Sequence, residues 1–133
     1  MVRIYVASPY TNGDKEQNVN LQIDIANELM DRGYAPYTPL LSHYQHLRHY
    51  RKEEDWYALD NEFLVLCDVL IRIKPVRDGI EITSSGADKE EAYARSLKIP
   101  VFIFSTIEEM CLYLDTHPFE EIKKDESFLV SSL

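Results

Sequence analysis

The sequence predicts an α/β fold with three layers and a four- to five-stranded parallel sheet. Short β-branched runs alternate with amphipathic helical segments along the chain. Two of those runs, DVLIRI at 68–73 and VFIF at 101–104, are almost continuously apolar, as strands covered on both faces must be. The chain has 133 residues and 45% hydrophobic content, enough for one core and too little for a second domain. Together these features describe a small Rossmann- or flavodoxin-like domain over residues 1–117, followed by a weakly patterned tail at 118–133.

Each element has a local reason. VRIYVA at 2–7 reads as the first strand, and the Pro/Asn/Gly/Asp-rich SPYTNGD that follows reads as a loop. A helix is expected from Lys15 to Arg32, with Val19, Ile23, Ala26 and Met30 on its inner face and Gly33 as its stop. YAPYTP gives a short second strand that its prolines confine to an edge or an early end. From Arg51 to Cys67 the spacing of Trp56, Leu59, Phe63 and Cys67 is helical, and KPVRDGIEITSSG at 74–86 reads as a long loop. A helix starting near Gly86, the strand VFIF and the helix STIEEMCLYLDTH complete the order.

Charge and composition exclude several classes of function. A net charge of −9 repels phosphate backbones, so no nucleic-acid polymer is expected as partner, whereas one small anion in a local positive pocket is allowed. No apolar run approaches the roughly 18 residues of a membrane span, and the N-terminus lacks the pattern of a secretory signal, so a cytoplasmic protein is expected. Cys67 and Cys111 stand apart and read as buried thiols. Neither a dinucleotide loop nor a Walker A motif occurs, and no cofactor is expected. His43, His46 and His49 recur at every third position without a carboxylate at matching helical spacing, which argues against a metal site.

Periodicity then singles out two acids. In the helix after Gly86, Glu90 falls on the apolar stripe of Ala87, Ala94 and Leu97, while Glu91 lies with Asp88, Arg95 and Lys98 on a charged face, paired to Arg95 at i,i+4. On the preceding helix Asp60 shares a stripe with Trp56, Phe63, Leu64 and Cys67. Inward carboxylates rarely lack a purpose or a partner, and two of them flanking one strand suggest a nucleophile beside a group that handles a proton or a hydroxyl. Glu90 is expected in the first turn of its helix, where the positive dipole end favours the ionised form. In open parallel sheets ligands bind beyond the C-terminal strand ends. Four loops reach that edge, and the 13 residues at 74–86 form the longest. His43 follows a strand end and faces this edge, and Tyr5, Tyr10, Tyr44, Tyr50, Trp56 and Tyr57 include candidates for a base-stacking wall.

With IYVASPY at the first strand, DNEFLVLCDVLIRI for a D-x7-D-V segment and SSGADKEEAYA for S-x-G-x3-E-x3-A, residues 2–105 resemble the nucleoside 2-deoxyribosyltransferase-like superfamily, which includes the 2′-deoxynucleoside 5′-monophosphate N-glycosidases. The resemblance implies a nucleoside or nucleotide substrate and makes Glu90 the nucleophile that takes the sugar. Asp60 becomes the acid near the sugar and departing base, and Tyr5 the strand tyrosine of the site. Ser84 stands where the monophosphate hydrolases carry serine and the transferases an acid, and Ser8 where the hydrolases contact phosphate. Pro9, Tyr10, His43 and Gly86 fall on substrate-contacting segments. The hydrolases' arginine-containing loop is here PYTNGDK, leaving Arg77 of the long loop to supply the charge. Monophosphate N-glycosidase is the favoured activity, with a transferase on free nucleosides and a non-catalytic nucleotide-binding module as alternatives. The resemblance also implies a homodimer or higher homo-oligomer whose C-terminus, with Ser127, Ser131 and Ser132, completes a neighbour's site.

Overall fold

The computed structural model describes residues 1–120. Its elements are β1 (Arg3–Ala7), α1 (Lys15–Asp31), β2 (Ala35–Tyr37), a 3-10 turn (Pro39–Ser42), α2 (His43–Arg48), α3 (Glu53–Leu64), β3 (Val69–Ile73), β4 (Val76–Arg77), β5 (Ile80–Glu81), α4 (Ser85–Ser96), β6 (Val101–Phe104) and α5 (Ile107–Thr116). Four parallel strands form one sheet in the order β2-β1-β3-β6, so β2 is an edge strand, where its proline is tolerated.

Strand alternation divides the core in two. Ile4, Val6, Val69, Ile71 and Ile73 face Ile25 and Leu29 of α1 and Met110 and Leu114 of α5. Tyr5, Ala7 and Leu70 face the opposite way, against Leu64, Ala87 and Ala94 of α3 and α4. This gives the three layers expected. Among the described residues no helix is long and apolar enough to cross a membrane.

Several expectations are corrected. The inner face of α1 is rotated by one residue, to Asn18, Val19, Gln22, Ile25 and Leu29. Ile23 and Met30 are exposed at 38% and 64%. Hydropathy misplaced the stripe because two inward positions are amides, each satisfying backbone groups outside the helix. Asn18 donates to the Tyr10 and Asn12 carbonyls, at 2.9 and 2.8 Å. Gln22 donates to the Val6 carbonyl and accepts from Leu40 N–H. Leu59 and Phe63 on α3 and Leu97 after α4 are likewise exposed, at 42%, 44% and 41%.

The helix expected at 51–67 is shorter, at Glu53–Leu64, and His43–Arg48 forms a helix of its own. The long loop carries the β4–β5 hairpin, turned by Asp78 and Gly79 at positive φ. Gly33 does stop α1, at φ 84°, with Tyr34 N–H reaching back to the Leu29 carbonyl. Phe119, placed in the tail by the sequence, packs on Tyr34 and Phe102 of its own chain. Ser127, Ser131 and Ser132 lie outside the described residues.

Candidate active site

β1 and β2 pair in parallel with Tyr5 opposite Tyr37, which sets the two rings side by side on the α3/α4 face, centroids 5.4 Å apart. Each hydroxyl donates to one acid. Tyr5 donates to Glu90 Oε2, and Tyr37 donates to Asp60 Oδ1 at 3.1 Å. Tyr37 also stacks on Phe63 of α3, centroids 4.7 Å apart at 11°, so the ring that holds Asp60 is itself held. The sheet register thus converts two strand tyrosines into a rack for two carboxyls carried on different helices.

Both acids bind protons more tightly than free carboxyls. Burial pushes Asp60 up to about 6, against the lowering effect of the Tyr37 hydrogen bond. Glu90 is pushed up to about 8, first by burial and further by the Asp60 charge; the Tyr5 hydrogen bond and the Arg72 guanidinium oppose the shift. This corrects the expectation that a helix dipole leaves Glu90 readily ionised. α4 starts at Ser85, so Glu90 sits in the second turn, where the dipole has faded and desolvation dominates. Burial and the neighbouring acids raise the Tyr5 phenol far above its ordinary value, which keeps it a donor.

Glu90 and Asp60 line a cavity of about 360 Å³ beyond the C-terminal ends of β1 and β2 and beside the start of α4. Ser8, Tyr10, His43, Ser84 and Gly86 line it as well. A Cβ at Gly86 would lie 3.4 Å from the Tyr57 hydroxyl, in contact with that wall. Tyr10 and His43 are bonded to each other, hydroxyl to Nδ1. On the far wall Trp56 donates its indole N–H to His46 Nδ1 at 2.9 Å, and Tyr57 donates to Glu53 at 2.7 Å. Tyr50, Trp56 and Tyr57 of the expected aromatic wall line the cavity, whereas Tyr44 does not.

Two buried serines have oxygens that serve the protein and protons left over. Ser8 Oγ accepts from Gln22 at 2.9 Å, and Ser84 Oγ, the N-cap of α4, accepts from Ala87 N–H at 3.0 Å. Neither hydroxyl donates to a protein acceptor among the described residues, so both offer donors to a ligand in the cavity.

Three expected residues fall elsewhere. Pro9 is buried outside the cavity lining. Tyr5 is outside the cavity lining and meets it only through its hydrogen bond to Glu90. Arg77 is drawn off by the hairpin to donate to Asn18 Oδ1 at 2.7 Å. The cation at the serine end is instead Lys15, the first residue of α1, whose Nζ lies 5.4 Å from the Tyr10 ring centroid. Arg51 lines the cavity as well, and neither it nor Lys15 nor Tyr37 was singled out in the sequence, where the register that sets Tyr37 beside Tyr5 leaves no local signal.

Glu91 is more than a surface residue. It bonds Arg95 at 3.1 Å as expected, and also Arg72 of β3 at 3.1 Å, a contact that leaves its side chain 19% exposed.

Among solved structures the chain is similar to a 2-deoxyribosyltransferase from the psychrotolerant bacterium Bacillus psychrosaccharolyticus, with a TM-score of 0.52, 20% identity, and coverage of 92% of this chain and 77% of that one. The fold is therefore the nucleoside 2-deoxyribosyltransferase-like one that the motifs suggested. No curated protein matches the sequence significantly. The family model that does match spans residues 2–104, and the chain belongs to that family, described as a domain of unknown function, DUF7768.

Proposed function

We propose that the chain is an N-glycosidase acting on a (deoxy)ribonucleoside 5′-monophosphate through a covalent glycosyl-Glu90 intermediate. The observation that carries this reading is the pair of carboxyls, each racked by its own tyrosine, at the floor of a cavity with aromatic groups on one wall and serine donors on another. A Glu90 carboxylate oxygen attacks C1′, and the C1′–N bond breaks with its electron pair leaving on the base. The transition state is oxocarbenium-like. The reactive form has Glu90 ionised and Asp60 protonated, the less populated of the two arrangements of their proton, and in it Asp60 hands that proton to the departing nitrogen. Water then attacks C1′ and gives its proton back to Asp60, and the ester bond breaks to return the Glu90 carboxylate. The products are the free base and the sugar 5-phosphate.

The phosphate end rests on Ser8, Ser84 and Lys15. Two hydroxyls with unused protons and one ammonium suit an oxyanion better than a neutral 5′-hydroxyl. Transfer to a second base differs only in what resolves the intermediate, and the likeness to a deoxyribosyltransferase fold favours testing for it.

A panel of nucleosides and 5′-monophosphates should yield free base with monophosphates preferred. A slow 2-fluoro-arabinosyl monophosphate should add its sugar-phosphate mass to the peptide carrying Glu90. Turnover with no trapped adduct would point to direct attack by water, and release of no base from any member would remove the enzymatic reading altogether.

A further inference from the structure

Arg72 interrupts the apolar strand β3 and is 5% exposed, so its charge is almost fully withdrawn from water. A guanidinium is buried only with partners. Its Nη2 lies 2.7 Å from Asp88 Oδ1 and its Nη1 3.1 Å from Glu91 Oε1, while its buried Nε has no partner among the described residues. Both acids belong to α4 and bracket Glu90 in sequence. Ala7 is the register partner of Arg72 on β1, and its methyl leaves room on the sheet face beneath α4. Asp88 is 67% exposed at its side chain, so water screens its share of the neutralisation, and Glu91 is divided between Arg72 and Arg95.

We propose that Arg72 is the charge-balancing and positioning residue for Glu90: anchored through Asp88 and Glu91 to the turn of α4 that bears the nucleophile, it supplies the buried positive charge that permits Glu90 to ionise. This rests on Glu90 being the nucleophile of the proposed reaction. Of the groups that act on Glu90 among the described residues, Tyr5 also favours the carboxylate, through its hydrogen bond, but Arg72 is the one that brings positive charge. Asp60 on α3 brings negative charge, Tyr5 on β1 donates a hydrogen bond, and Tyr37 on β2 and Tyr57 on α3 are neutral phenols. On α4 itself, Lys89 lies over the Tyr57 ring at 4.8 Å, and Asp88 and Glu91 are the anchors already named.

The test is the titration of Glu90, followed by carboxyl 13C NMR and assigned by difference from Glu90→Gln. This readout does not depend on turnover. Arg72→Met keeps an unbranched apolar stem and removes the charge, and should raise the Glu90 midpoint by about one unit or more. At pH 7 the same variant should lose about tenfold in kcat/KM relative to wild type, a deficit that narrows toward pH 9, and Arg72→Lys should restore most of it. Asp88→Asn with Glu91→Gln should act in the opposite direction, because Arg72 then has Glu90 as its main counter-charge, and the midpoint should fall. An unchanged midpoint in Arg72→Met overturns the proposal; should that variant fail to fold, an unchanged or raised midpoint in the double variant overturns it. If wild-type protein releases no base, the functional reading fails while the NMR midpoints still decide the role of Arg72.

Discussion

Glu90→Gln should abolish base release, by at least about a thousandfold in kcat/KM, and should stabilise the fold. A loss of that size corresponds to roughly 4 kcal/mol of transition-state stabilisation, in keeping with removal of a covalent participant. Glutamine accepts the Tyr5 hydrogen bond but cannot form the ester. The stability effect has a definite pH dependence. Glu90 loses its proton near 4.5 when free and near 8 in the fold, so between those values the folded protein holds a proton that the unfolded chain has released. Stability must therefore fall as pH rises through that window, and the loss is complete above it. Asp60 adds a smaller loss of the same sign between its ordinary 3.8 and about 6. The glutamine variant lacks the first loss, so its Tm should exceed that of the wild type by roughly 3 °C or more at pH 8, with the gap closing toward pH 4.5. Parallel Tm curves for the two proteins would show that Glu90 is not held as a buried acid. Intact base release in the variant would show that it is not the nucleophile.

This pairing of lost activity with gained stability explains why Glu90 could be read from the sequence at all. A carboxyl on the stripe of Ala87 and Ala94 conflicts with the local folding rule, and such conflicts concentrate at functional sites. Asp60 was legible for the same reason. Tyr37 was not, because a tyrosine in a short strand obeys every local rule. Its role arises only from the register that sets it beside Tyr5, and no hairpin turn fixes register between parallel strands separated by a helix.

The α1 stripe failed for a complementary reason. Asn18 and Gln22 are polar at core positions, and their partners are carbonyls of β1 and of the loop after it, brought close only by the folded chain. Arg77 shows the limit of reading loops by composition. A basic residue in the longest loop looked free to meet a ligand, yet the β4–β5 hairpin carries it to Asn18. Arg72 was visible as a charge in an apolar strand, but hydropathy averaged over DVLIRI concealed it, and its meaning depends on α4 crossing the strand at Asp88 and Glu91.

Ser84→Asp should cut the preference for monophosphates over free nucleosides by at least tenfold. The substitution is informative because the position has two separable duties. As N-cap of α4, Ser84 accepts the Ala87 N–H, and aspartate is an equally good cap, so the helix start that carries Glu90 should survive. As a cavity group, Ser84 offers an unused proton, and aspartate replaces that donor with a negative charge. Losing one hydrogen bond to a charged oxygen costs about 1.5–3 kcal/mol, or roughly tenfold to more than a hundredfold in specificity, and repulsion at reduced dielectric adds to it. The new charge would also raise the proton affinity of Glu90, slowing every substrate alike. The decisive quantity is therefore the ratio of kcat/KM for a monophosphate to that for its free nucleoside, in which the common effect cancels. That ratio should fall by at least tenfold in Ser84→Asp and by less in Lys15→Met, which removes a more flexible cation from the same end of the cavity. A ratio unchanged in both variants would place the 5′ end of the substrate elsewhere. Wild-type protein that favours free nucleosides and passes the sugar to an added base rather than to water would be a transferase.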